Sequence, residues 1–92
     1  MLNLAAAKKM QSSIHQTNTI ALSELPVGRS ARVVSVNGTG RVTQRLMEMG
    51  VIPGIGVKMI KTGPFGDPIE VRLRGYSLAM RKNEADAIEV SC

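Results

Sequence analysis

Aromatic residues are almost missing from this chain: Phe65 and Tyr76 are the whole complement, and there is no tryptophan. That weakens the case for functions built on stacked rings, such as single-strand nucleic-acid platforms and the aromatic grooves that hold proline-rich helices. Cysteine is scarcer still. Cys92 is the single thiol, so an internal disulfide and a Cys-rich metal site are both ruled out, which suits a reducing compartment. No stretch approaches the ~20 apolar residues that a bilayer-crossing helix needs. The opening run Met1-Leu2-Asn3-Leu4-Ala5-Ala6-Ala7-Lys8-Lys9 sets its lysines after its apolar residues, the reverse of a secretory signal. The expected location is the cytoplasm.

What is present suits one small folded unit. Ninety-two residues leave no space for a second core. With 43% apolar and 21% charged residues, the composition is that of a globular chain rather than a disordered one. Twelve Lys plus Arg against seven Asp plus Glu give a net charge of +5, which favours acidic partners without naming one. Residues 1–19 read as a polar tail, since Gln11 to Thr19 offers little to bury, and the short apolar start supports at most a marginal helical turn. His15 has no second histidine at ligand spacing and reads as solvated; weak metal binding by His15 or Cys92 stays open. The folded domain is expected over residues 20–92.

From Ile20 the pattern becomes that of a small β protein. Leu22, Leu25 and Val27 around Pro26 and Gly28 predict an apolar turn closing one end of the core. Ala31 to Val36 is a β-branched strand, broken by Asn37-Gly38-Thr39-Gly40. A helix follows, with Val42, Leu46 and Met49 on one face, Arg41, Gln44, Arg45 and Glu48 on the other, and Gly50 as its stop. Pro53-Gly54 occupies the centre of a type II turn leading into a strand from Ile55 to Lys61. Gly63 to Pro68 is a wide loop stiffened by two prolines. Ile69, Val71 and Leu73 alternate with charged residues, Gly75 reverses the chain, and Tyr76, Leu78 and Met80 resume the alternation. A polar turn from Lys82 to Asp86 precedes a last strand with Ile88 and Val90. The expected fold is mainly β: a small SH3-like antiparallel barrel of about five strands, with one α-helix inserted after the first. So small a domain uses its interior for packing, which argues against a deep catalytic cavity.

The run Arg45-Leu46-Met47-Glu48-Met49-Gly50-Val51-Ile52-Pro53-Gly54 resembles the signature of the FeoA family, small cytoplasmic accessory proteins of bacterial ferrous iron uptake. Gly66-Asp67-Pro68-Ile69-Glu70-Val71, then Gly75-Tyr76-Ser77-Leu78-Ala79-Met80-Arg81, Ala85 and Ile88-Glu89-Val90 resemble the same family in the same order. The resemblance implies an SH3-like barrel acting beside FeoB, a membrane protein with a cytoplasmic GTPase domain. This chain would be recruited to the membrane only through that partner. The residues agree, because a chain without a nucleotide loop or metal cage is suited to binding rather than to transport or hydrolysis.

Five residues stand out as a partner surface: Arg41, Arg45, Glu48, Phe65 and Asp67. The charged helix stripe could dock an acidic surface of the GTPase, against the reading that it is merely a solvated face. Phe65, between prolines, is either an apolar anchor or a lid folded back over the barrel end; its burial decides. Gly38-Thr39-Gly40 reads as an ordinary turn, since no Gly-Lys-Ser/Thr follows. Met47, Met49, Met59 and Met80 read as core filling rather than as ligands, and the scattered carboxylates form no converging pair. No catalytic, cofactor or metal residue is assigned. The alternatives are a barrel binding structured RNA, which alternating Arg and Lys without stacking aromatics supports poorly, and a free-standing relative of metal-dependent repressor barrels acting in trans.

Overall fold

The computed structural model describes residues 19–38 and 40–92. The expected tail therefore lies, but for Thr19, outside the described residues, as does Thr39 of the glycine turn. In chain order the elements are β1 (Thr19–Ala21), β2 (Ser30–Val36), α1 (Arg41–Glu48), β3 (Gly56–Thr62), β4 (Ile69–Arg72), β5 (Ser77–Met80), α2 (Lys82–Asp86) and β6 (Ile88–Ser91). Single 3₁₀ turns follow β1 at Leu22–Glu24 and precede β4 at Pro64–Gly66.

All six strands form one antiparallel sheet in the order β1-β6-β2-β3-β4-β5. Alternation explains the register. Ile69 faces Met80 and Val71 faces Leu78 across β4 and β5, and all four are buried. Val33 faces Val90 and Val36 faces Ile88 across β2 and β6. Register shifts make Val34 the extra residue between Val33 and Ser35, and Ile60 the extra residue between Met59 and Lys61. Such bulges bend a strand and increase its twist, so the short strands curl around one core. The sheet is barrel-like without closing, since β1 and β5 end the strand order.

The core contains Leu22, Leu25, Leu46, Val51, Met59 and Ala85 together with the inward residues of the strands. The expected type II turn is present: Ile55 N–H donates to the Ile52 carbonyl at 3.1 Å, with Gly54 at φ 95°. The β4–β5 reversal also forms, with Leu73 N–H bonded to the Tyr76 carbonyl at 2.8 Å and Gly75 at φ 74°.

Four local expectations are corrected. Thr19–Ala21, at the edge of the expected tail, is a sixth strand because Ile20 and its neighbours pair with β6. Lys82–Asp86 is a helix rather than a turn, seated by the fully buried Ala85. Val42 and Met49 are about two-fifths exposed rather than core, because α1 rests on the sheet through Leu46 alone among its own residues, and Tyr76 is equally exposed at the β4–β5 reversal, where its hydroxyl donates to the Met49 carbonyl. Val27 is exposed; Leu22 and Leu25 close that end of the core without it. Among the described residues no helix is long and apolar enough to cross a membrane.

Candidate functional site

α1 is a short helix held mainly at its C-terminus. Gly50 N–H donates to the Met47 carbonyl at 3.1 Å and Val51 N–H to the Leu46 carbonyl at 3.0 Å, the paired bonds of a Schellman stop. Gly50 takes φ 105°, which a side chain would resist. The Tyr76 hydroxyl donates to the Met49 carbonyl, tying the helix end to the β4–β5 reversal. This leaves Arg41, Arg45 and Glu48 exposed along one side of α1.

α2 lies beside that charged stripe. Its first turn is organised by two carboxylates. Glu84 accepts from the Arg81 N–H at 3.0 Å, the reciprocal half of a capping box. Asp67, from the loop before β4, accepts from the Lys82 N–H at 2.8 Å. The same carboxylates hold cations on their outer sides: Arg45 lies 3.7 Å from Glu84 and Arg81 lies 3.5 Å from Asp67. Glu84 is the better shielded partner, its side chain 16% exposed against 63% for Arg45. At the far end of α2, Asp86 accepts from the Ser23 hydroxyl and pairs with Lys82 at 3.6 Å. The Asp86 carboxyl is held below its ordinary range, chiefly by that hydroxyl, with desolvation opposing it and the Lys82 charge adding a smaller lowering.

The loop carrying Phe65 is cross-braced by its backbone. Gly63 N–H donates to the Pro68 carbonyl at 2.7 Å, Gly66 N–H to the Gly63 carbonyl at 3.0 Å, and Asp67 N–H to the Pro64 carbonyl at 3.2 Å. A Cβ on Gly63 would come within 2.5 Å of the Asp67 carbonyl oxygen, so only glycine lets the loop ends approach this closely. The Asp67–Pro68 peptide bond is cis. Phe65 sits at the tip with φ 60° and 101% relative exposure. The lid reading is therefore discarded.

Arg45, Phe65 and Asp67 thus come together on one surface, through Glu84 and Arg81. Phe65 and Asp67 share an open groove with Arg81, Lys82 and Glu84, and Arg45 joins Glu84 and Arg81 in the adjoining one. Arg41 and Glu48 extend the surface along α1. Arg81, Lys82 and Glu84 were not singled out in the sequence. The Arg81-to-Glu84 spacing was the available signal, since a carboxylate three residues on from a helix start is the capping-box position. Met59 and Met80 are core residues, as read, while Met47 and Met49 are partly exposed. Among the described residues no three His, Cys, Asp or Glu side chains converge as a metal site. What the surface offers chemically is recognition: one bare ring beside alternating, paired charges.

The sequence profile of the FeoA domain family matches residues 20–92. A Fe(2+) transport protein A/Fe(2+) transporter FeoB fusion protein from Porphyromonas gingivalis is 36% identical over 69 residues, 75% of this chain. The match spans 8% of that fusion protein's own length. A FeoA-like protein from Clostridium acetobutylicum superposes with a TM-score of 0.73 at 37% identity, over 82% of this chain and 87% of that one. FeoA from Stenotrophomonas maltophilia, solved with zinc and described as a procaryotic SH3 domain protein, superposes with a TM-score of 0.68 at 36% identity, over 76% and 87% of the two chains. The bent antiparallel sheet is accordingly an SH3-like fold.

Proposed function

This chain belongs to the FeoA domain family, and from that premise we propose that it is a noncatalytic accessory module of bacterial ferrous iron uptake that binds and modulates a FeoB-type membrane GTPase transporter. The observation that carries the reading is the Porphyromonas gingivalis relative, in which a transport protein A portion and a FeoB transporter share one polypeptide. Covalent linkage holds two modules at high effective concentration, so natural fusion favours partners that work in contact. The separate chain acts in the cytoplasm, at the inner face of the membrane in which this partner sits.

The contact surface proposed is Arg41, Arg45, Glu48, Phe65 and Asp67, with Arg81 and Glu84 as its scaffold. Phe65 is the anchor. A ring already exposed on a braced loop loses little freedom on docking, and aromatic residues dominate interface energetics when they enter a pocket. The ion pairs around it are exposed and contribute orientation more than affinity.

The test is co-purification of the chain with the detergent-solubilised transporter under reducing conditions, in the GTP-bound and GDP-bound states. Saturable binding in at least one state, weakened by Phe65→Ala, is the expected result. Absence of saturable binding in both states refutes the partner assignment.

A further inference from the structure

The Phe65 loop stands at one end of the β3–β4 ladder, beyond the Thr62 and Ile69 pair; the other end has a different character. There Ser30 of β2, Lys58 of β3, Arg72 of β4 and Ser77 of β5 stand in one row of register partners. All four are exposed on the outer face. Arg32, two residues along β2 on the same face, is flanked by Gly56 and Ser91, and lines one open groove with Ser30, Lys58 and Arg72. Its Nη1 donates to the Gly54 carbonyl at 2.6 Å, leaving the other guanidinium donors uncommitted by that bond. Arg29 and Arg74 flank β2 and β4 at the same end.

The ion-paired cations lie elsewhere on the molecule. Arg45, Lys61, Arg81 and Lys82 pair with Glu84, Glu70, Asp67 and Asp86. Among the described residues, Arg41 on α1 and five cations at this end of the sheet, Arg29, Arg32, Lys58, Arg72 and Arg74, have no such carboxylate. Lys58 also stands directly opposite Arg72. Like charges in that position oppose strand pairing, so the fold tolerates a repulsion that an external anion would relieve.

We propose that this row of cations is a contact for an anionic bilayer, lying against the phosphate headgroups of acidic lipids. The groove is open and its cations are spread over adjacent strands about 4.8 Å apart, which matches a charged sheet better than one enclosed phosphate. Ser30 and Ser77 supply hydroxyls at the ends of the row for phosphate oxygens. Neither aromatic residue belongs to the row or lines the groove, so base stacking has no platform. Val27, exposed in the turn before Arg29, adds an apolar tip beside the charges. Because this patch and Phe65 occupy opposite ends of one ladder, the chain can rest on lipid and still present its ring to a protein.

The experiment is vesicle co-sedimentation of the full chain without any transporter, so its outcome is separate from that of the partner reading. The probes are phosphatidylcholine vesicles and vesicles with about one-third phosphatidylglycerol. Binding to the acidic vesicles alone, falling steeply with salt, is expected. Each cation near an acidic surface is worth roughly a 5-fold gain in affinity, so Lys58→Gln with Arg72→Gln lowers binding roughly 25-fold. Lys61→Gln with Lys82→Gln, the same charge change elsewhere, lowers it far less. The melting temperature of the first pair is held or raised, since a repulsion has gone, which separates lost contact from lost fold. Equal binding to neutral vesicles, equal loss in both double variants, or tighter binding to single-stranded RNA than to acidic vesicles at matched salt overturns the proposal.

Discussion

Asp67 caps a helix to which it does not belong: its Oδ1 accepts from the Lys82 N–H at 2.8 Å while its Oδ2 lies 3.5 Å from Arg81 Nε. The loop that displays Phe65 is thereby fixed to the start of α2. A helix of five residues has few internal bonds, so an outside acceptor at its first turn carries unusual weight. Asp67→Ala should destabilise the fold by about 1 kcal/mol, the usual cost of a lost cap, whereas Asp67→Asn keeps an acceptor oxygen and most of the stability. Urea denaturation of the two variants checks this. If both lose partner binding while only the alanine variant loses stability, the Asp67 charge contributes to docking as well as to the cap.

A second relationship joins α1 to the β4–β5 reversal. A Cβ at Gly50 would meet the Tyr76 hydroxyl at 2.6 Å, and the Gly50 backbone has φ 105°. Gly50→Ala should therefore cost more than about 1 kcal/mol, combining left-handed backbone strain with the clash. Tyr76→Phe loses only the bond to the Met49 carbonyl, about 0.5–1.5 kcal/mol. The double variant should be more stable than the sum of the singles implies, because removing the hydroxyl also removes the clash. Thermal melts of all three test that coupling.

Strand positions were legible because alternation over Ile69 to Leu73 and Leu78 to Met80 leaves one register that buries Ile69, Val71, Leu73, Leu78 and Met80 together. The family resemblance read from Arg45 to Gly54 was equally legible, since its glycines and proline form a helix stop and a type II turn, both present in the fold. β1 was not, because three residues with no alternation acquire meaning only from β6, about seventy positions away. α2 was missed for a related reason: half of its first-turn capping comes from Asp67 in the loop before β4, and the local half, the Arg81-to-Glu84 spacing, lacks the Ser or Thr that marks a capping box in sequence. Helical period alone placed Val42 and Met49 in the core. The sheet beneath α1 covers Leu46 and leaves them at the margin.

Acid should reveal the Ser23 contact. The Asp86 carboxyl titrates below its ordinary value of 3.8, first because the Ser23 hydroxyl donates to it and then because Lys82 lies nearby. A folded-state value below the unfolded one stabilises the fold above the unfolded value, and that contribution disappears as pH falls through the folded value. The stability difference between the parent chain and Ser23→Ala should hold its full size at neutral pH and shrink below about pH 4. Chemical denaturation at neutral and acidic pH measures it. A difference that persists unchanged at low pH means that the hydroxyl acts through packing and not through the carboxylate.

Phe65 separates folding from recognition more cleanly than any other residue here. The ring is wholly exposed, so Phe65→Ala should change stability by no more than about 0.5 kcal/mol. Phe65→Gly should hold or raise the melting temperature, because the residue sits at φ 60°, where glycine alone lacks the Cβ penalty. Both variants lack the anchor and should bind the solubilised transporter at least ~10-fold more weakly, as expected when an interface loses a central aromatic side chain. Isothermal titration and thermal melts on the same preparations supply the two axes. Unchanged binding with unchanged stability would remove Phe65 from the contact and leave the α1 stripe of Arg41, Arg45 and Glu48 to carry it.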